Sequence, residues 1–324
     1  MPLEQPQIRV SLGGVPVPGV TALQVESVGY FAASRFQVTF ALGAGGYDLA
    51  YFTALGQQEI IIQVALDGLG FVPILTGQID NIRCDLAQNT VTLCGRDLAC
   101  LLIDSEIAES FVNQTASQIA RSLAQRFNLV PDVTPTSAKV GQYYELDHAR
   151  SGLFLHSRAG TAWNLLTKLA IAEDFVLFVN GRTLYFGPLP VTQTMTVTRK
   201  NFSRLDFDIV TALPSAATVK SWNCRHKSVI SQTAGIGEMT TLIRPNLSPA
   251  AAMREAQHHL AMLGRHGTIL LGEMKLDLTL APGMQIQMIG TGSPLDTVYA
   301  VATVNRRLHG KAGLVQIVNA YALN

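Results

Sequence analysis

Charge is scarce in this chain. Only 15% of its 324 residues are charged, against 48% hydrophobic. A surface with so few charges suits a freely soluble monomer poorly, which points to large buried interfaces in an assembly; an unusually apolar single protein is the alternative. The 24 Lys and Arg nearly balance the 23 Asp and Glu, leaving a net charge of +1, and no long basic run occurs. Wrapping nucleic acid needs a concentrated positive face, so direct nucleic-acid binding is not expected. Arg306-Arg307 is preceded by Asn305 and followed by Leu308 and reads as a solvated strand end.

Cysteine is sparse as well. Cys84, Cys94, Cys100 and Cys224 fit no redox or zinc spacing, and free packed thiols made in a reducing cytoplasm are the default. No apolar run reaches the ~18 residues that a membrane span requires; Ile60-Ile61-Ile62 is strand-length. Met1 to Gln7 has neither the basic nor the apolar region of a secretory signal. The glycosylation triplets at Asn113, Asn201 and Asn246 therefore read as chance.

What is present is strand. In Arg35 to Leu42, Phe36, Val38, Phe40 and Leu42 share one face, the period of a half-buried strand. Glu59 to Leu66, Ile74 to Cys84 and Gln88 to Leu93 follow, with Asp67-Gly68 opening a hairpin and Gly77 marking a bulge or bend. Leu49, Phe52 and Leu55 predict a short helix capped by Asp48. The sequence then changes character. Thr115 to Gln118 has capping-box form, and Ala116, Ile119, Ala120, Leu123 and Phe127 make one apolar helical face. A second helix starts near Thr161 and buries Trp163, Leu165, Leu166 and Leu169. Asn180-Gly181 predicts a hairpin after it. Beyond residue 200 strands return at 217–223, 269–280, 284–289, 297–304 and 314–320. One helix interrupts them, with Ser248 as cap, Pro249 in the first turn, Gly264 as stop, and Ala252, Ala256, Leu260 and Leu263 facing inward.

A faint repeat links the two strand-rich regions. Leu55 to Ile62 resembles Ala281 to Met288. Each has a turn glycine before a strand, and each is followed by a long strand, a turn and a last strand. Chance similarity between β meanders is the alternative.

Candidate chemistry is thin. His258, His259 and His266 lack the spacing and carboxylate support of a zinc helix and read as an exposed helix face. Ser151, His156 and Asp147 lack a nucleophile elbow, and His148 lies in the same loop. Glu106 with Glu109, or Glu145 with Asp147, would be a glycosidase pair only at the right separation in space. Gly43-Ala44-Gly45-Gly46 lacks the Lys and Ser/Thr of a phosphate loop and reads as a loop tip. No metal site and no cofactor is expected. In Gly95-Arg96-Asp97 the glycine is read as supplying an unusual backbone angle and Asp97 as capping the next helix.

Val91 to Asp104 runs from a strand pattern through Gly95-Arg96-Asp97 into an apolar helical turn. Together with the helix Thr161 to Ala170 and the hairpin Phe175 to Phe186, it resembles the baseplate hub proteins of contractile phage tails, the late-control D protein family. The resemblance covers most of the chain and implies a structural virion protein, not an enzyme. The fold it implies is α+β, mainly β. Two tail-tube-like β-barrel domains, residues 1–103 and 199–324 (the second with the inserted helix 248–264), flank an α/β middle domain, residues 104–198. It also implies a homotrimer, whose six barrels match a six-fold tail tube while the remaining surface presents three-fold symmetry to a central spike protein. Gly95, Arg96 and Asp97 stand where the first barrel meets the middle domain, as candidate interdomain or subunit contacts, with Arg96 expected to pair with an acid.

The implied partners are further copies of this chain, the tail tube or its distal tube-initiator protein, the spike, and baseplate wedge and tape-measure proteins. No membrane binding is expected. The location would be the tail baseplate of a virion, after assembly in the host cytoplasm. The chain ends at Asn324 without a spike-like extension, so a separate spike protein is expected. A tailocin or gene transfer agent fits equally. The rival readings are a β-rich cell-wall glycan hydrolase and a monomeric binding module.

Overall fold

The structure, a computed structural model, describes residues 6–66, 70–109, 111, 113–140, 160–190, 193–223, 227–245, 247–265, 267–309 and 313–323. Asp67-Gly68, Glu145, Asp147, His148, Ser151, His156, Cys224, Asn246 and His266 lie outside the described residues.

The first strand group comprises β1 (Gln7–Leu12), β2 (Val20–Val28), β3 (Arg35–Ala41), β4 (Glu59–Ala65), β5 (Val72–Asp85) and β6 (Thr90–Asp97), with α1 (Leu49–Thr53) between β3 and β4. Period-2 alternation sends Phe36, Val38, Phe40, Ile60, Ile62, Val91 and Leu93 into one core. Phe52 of α1 and Leu55 just beyond it plug this core, and the cap Asp48 accepts from the Tyr51 N–H at 2.9 Å.

The middle segment holds α2 (Cys100–Ile103), α3 (Ala116–Arg126), β7 (Val130–Val133), α4 (Ala162–Ala172), β8 (Val176–Asn180) and β9 (Thr183–Gly187). Thr115 and Gln118 form the expected capping box, and Thr161 caps α4 through the Asn164 N–H. Ile119, Leu123, Trp163, Leu166 and Leu169 pack against Leu177, Leu184 and Phe186. The hairpin turn is shifted by one residue from the expected pair. Asn180 faces Thr183, leaving Gly181-Arg182 at the tip, with positive φ (56°) at Gly181 alone of the two.

The second strand group contains β10 (Thr194–Thr198), β11 (Phe202–Ile209), β12 (Ala216–Asn223), β13 (Ser228–Gly235), β14 (Met239–Pro245), β15 (Thr268–Lys275), β16 (Gln285–Ile289), β17 (Val298–His309) and β18 (Gly313–Ala322). The helix α5 (Pro249–Gly264), capped by Ser248, lays Ala252 and Ala256 on the small sheet β13-β12-β14. Leu260 and Leu263 are only half-buried.

The two strand groups repeat one topology. The sheet order β2-β3-β6-β5-β4-β1 is answered by β11-β15-β18-β17-β16-β10, so strands match in chain order and in space. Two pairs of bulges fall at matching places, Asp80 in β5 with Ala302 in β17, and Thr21 in β2 with Ser203 in β11, whereas the bulge at Ile74 in β5 has no counterpart. Glu59 faces Gln78, two residues before the first bulge, and Gln285 faces Ala300, two before its counterpart. That is the register of the Leu55–Ala281 alignment. The groups differ at the margin, where β1 runs antiparallel to β4 but β10 runs parallel to β16. They join where β17 pairs with β2, from Thr303 opposite Val28 to Arg307 opposite Gln24. The result is one 13-stranded sheet in a mainly-β α+β fold with a large curled half-barrel.

Several expectations are corrected. The strand expected over 269–280 stops at Lys275, because Asp277 folds an Asx turn onto the Thr279 N–H at 2.8 Å. The bulge expected at Gly77 lies at Asp80. A Cβ on Gly77 would sit 2.1 Å from the Arg96 carbonyl, so the glycine serves close strand approach. Gly95 is not in the left-handed region either. Its Cβ would lie 2.0 Å from the Gln78 carbonyl and 2.6 Å from the Phe36 ring. Gly95-Arg96-Asp97 is therefore the end of β6 and not a turn.

Candidate functional site

Arg96 stands where β6 leaves the large sheet. The bulge at Asp80 displaces β5 locally and leaves this carboxylate beside the guanidinium; bulges are a common way to re-aim a side chain. Arg96 Nε donates to Asp80 Oδ2 at 2.6 Å and Nη2 to Oδ1 at 2.9 Å. Its other edge donates to Asp104, the C-cap residue of α2, with Nη1–Oδ1 at 2.9 Å and Nη2–Oδ2 at 2.7 Å. The bidentate fork fixes orientation as well as charge. Hydrogen bonding to Arg96 holds the Asp104 carboxyl below its ordinary value, and the bonds to Asp80, then those to Asp104, raise the Arg96 pKa. One side chain thus ties the bulge in the large sheet to the first turn of the middle segment.

Asp97 points the other way, into the protein, and is 6% exposed. Its carboxylate accepts from the Ser34 N–H at 2.6 Å and the Ala99 N–H at 3.0 Å. Ala99, not Asp97, is the N-cap of α2. Asp97 instead closes the turn before the helix and clamps it to the β2–β3 connection. Burial outweighs these backbone donors and pushes its carboxyl up to about 6.

A cavity of about 390 Å³ lies beside the junction between the strand groups, with Ser34, Asp97, Phe178, Pro282 and Arg306 in its walls. Arg306 corrects the reading of a solvated strand end, since it is 4% exposed. Alternation along β17 turns it inward, where Nη2 donates to the Leu280 carbonyl at 2.6 Å. Burial depresses its pKa to about 10. With the side-chain amide of Gln316 turned to suit its partners, bonding the Asp277 backbone N–H and carbonyl, Arg306 pins the loop from β15 to β16. The middle segment closes the same corner. Phe31 N–H donates to the Leu177 carbonyl at 2.8 Å, and Tyr30 packs on Phe178, with ring centroids 5.6 Å apart.

No protein-family model matches the sequence, and no curated protein does. Solved structures do match. A tail protein from Neisseria meningitidis MC58 superposes with a TM-score of 0.72 at 18% identity, covering 98% of this chain and 96% of that one. The 43 kDa tail protein of prophage MuSo2 from Shewanella oneidensis gives 0.74 at 17% identity, over 98% of both chains. An E. coli type VI secretion component, described as similar to T4 bacteriophage tail proteins, gives 0.58 at 13% identity over 97% of this chain and 77% of that one. This is the fold of a phage tail protein.

On the tail-protein fold the other candidates separate. Glu109 is held below its ordinary pKa by a two-pronged bond from Arg126, at 2.7 and 2.8 Å. Glu106 sits in a two-residue ladder with Thr161. Among the described residues no group of His, Cys, Asp and Glu could hold a metal ion. The exposed face expected for His258 and His259 is half-buried. Burial lowers the His258 pKa first, and Arg265 lowers it further.

Sequence reading named no strand at β1, β2, β7, β10, β11, β13 or β14. In β11 the bulge at Ser203 breaks the alternation of Phe202, Leu205 and Phe207. In β13 Ser, Gln and Thr fill half of the strand, and hydrophobic pattern is the signal on which strand recognition depends.

Proposed function

We propose that this chain is a structural component of a phage or phage-like tail. In the finer reading it is the trimeric baseplate hub that joins a six-fold tail tube to a three-fold spike. The observation that carries the proposal is the repeat. Two strand groups of one topology, with matched bulges, stand side by side in one sheet. A chain with two equivalent units offers six in a trimer, which reconciles six-fold with three-fold symmetry through a closed ring. End-to-end similarity to tail proteins from two bacteria supports the same reading.

The division into a first barrel (1–103), a middle domain (104–198) and a second barrel (199–324) belongs to this proposal. So do homotrimerisation, contact with a tube or tube-initiator protein and with a separate spike, and residence in the virion tail. Gly95, Arg96 and Asp97 serve the interdomain corner in this reading: the glycine lets strands approach, Arg96 ties the bulge to Asp104 at the start of the middle domain, and Asp97 clamps the turn before α2 to the β2–β3 connection. Enzymatic turnover has no part in it.

Light scattering of the purified chain across concentrations tests the proposal. A mass near three times 34.9 kDa, with six similar lobes around a ring in negative-stain images, is the expected result. A monomer at every concentration that also fails to bind tube or spike proteins would overturn it.

A further inference from the structure

Among the strand edges that lack a partner in the described residues, two are related by the repeat. From Asn81 to Asp85, β5 pairs with β6 alone. Along its whole length β11 pairs with β15 alone. Exposed edges invite pairing with another chain, and proteins normally cover or blunt them. Here Ile209, 54% exposed, ends the open strand, and Val210, 41% exposed, follows it.

The repeat identifies what each edge matches. The counterpart of β5 is β17, and the counterpart of β11 is β2. Within the chain β17 and β2 already pair, antiparallel, immediately after the β17 bulge. Carrying that register across the repeat sets Asn81 opposite Val210, Ile82 opposite Ile209, Arg83 opposite Asp208 and Cys84 opposite Phe207. We propose that the β5 edge of one copy pairs in this register with the β11 edge of the next copy, making the same joint between chains that β17 and β2 make within one. The copy number of three rests on the hub reading; the strand pairing rests on the repeat alone.

Three observations support the pairing. The open N–H groups face the right way. Val210 N–H donates to Gly267, towards β15, so the alternating N–H of Ile209 points outward. Its counterpart Ser27 lies two residues from Gly29, whose N–H donates across the joint to Ala302 at 3.0 Å. Charge is complementary, since Arg83 meets Asp208, both exposed, where the internal joint sets Asn305 opposite Glu26. The next pair, Asp85 with Asp206, brings like charges together, but Arg204 neutralises Asp206 at 2.7 Å. Finally, the Arg96 fork on Asp80 stiffens the bulge at which the new ladder begins. A head-to-tail contact of this kind closes into a ring when its rotation permits.

Charge reversal tests the register. Arg83→Glu and Asp208→Arg alter exposed side chains and leave the fold intact. Each should weaken assembly roughly tenfold, through a repulsive cross-strand pair repeated round the ring. The double variant should restore it. In a Cys84→Ser background, Arg83→Cys combined with Asp208→Cys should cross-link on oxidation into a covalent trimer and no larger species. If the wild type is a trimer that neither reversal weakens and the cysteines do not cross-link, the pairing is wrong and the hub reading stands. If the wild type is a monomer that still cross-links through these cysteines, the pairing stands and the self-assembling trimer is wrong. A monomer without cross-links removes both.

Discussion

Arg96 and Arg306 look alike in the sequence, each near the end of a strand, yet they do opposite work. Arg96 stays partly exposed and joins two carboxylates across a corner, whereas Arg306 is buried and bonds backbone carbonyls. Only the facing of each strand position separates them. Asp97 gives the sharpest prediction at this scale. Its carboxyl, raised from 3.8 to about 6, keeps a proton in the folded chain that the unfolded chain has released. Its contribution to stability is therefore full below pH 3.8 and declines as pH rises towards 6. The decline amounts to about 2–3 kcal/mol. Asp104 and Glu109, with lowered pKa values, act in the opposite sense, being lost as pH falls. The comparison must therefore be with Asp97→Asn, which cannot titrate. Urea unfolding at pH 4 and pH 7 should show the wild type losing stability relative to this variant as pH rises. A constant difference between the two would refute the assignment.

At the scale of elements, bulges and glycines shape the sheet more than alternation does. Gly77 and Gly95 let β5 and β6 approach beside the Asp80 bulge. Gly95→Ala places a methyl against the Gln78 carbonyl and the Phe36 ring, where little can yield. It should destabilise the chain by about 1–3 kcal/mol, seen as a lower urea midpoint with an unchanged slope. Gly181→Ala offers a contrast, because it strains the backbone at positive φ but meets no neighbour within 4 Å. Helix starts were legible from Asp48, Thr115, Thr161 and Ser248, since capping is a local interaction between a side chain and an N–H three residues on. Strand β3 was legible from clean alternation, and β4 from the strand-length apolar run Ile60-Ile61-Ile62. Strand β11 was hidden by its bulge, and the role of Gly95 was misread because close approach involves a strand that the local sequence does not contain.

At the scale of the molecule, the joint between β17 and β2 makes one sheet of two similar halves, and the open edges of β5 and β11 repeat its geometry. Proline tests this equivalence. Ser27→Pro removes an N–H that faces β17 inside the chain and should cost about 1–3 kcal/mol of stability. Ile209→Pro removes an N–H that faces outward. It should leave the urea midpoint of the monomer nearly unchanged while lowering the assembled mass by light scattering. Equal loss of stability in both variants would mean that the two positions are not equivalent. By itself the sequence determined the class of fold, the caps and the apolar faces, because periodicity and capping act over a few residues. It also carried the faint repeat between Leu55 and Ala281. The partners of Arg96, the burial of Arg306, the corner clamped by Asp97 and the two open edges were decided by tertiary structure alone. Each depends on which distant strands lie side by side, and a one-residue bulge is enough to change the face a side chain presents.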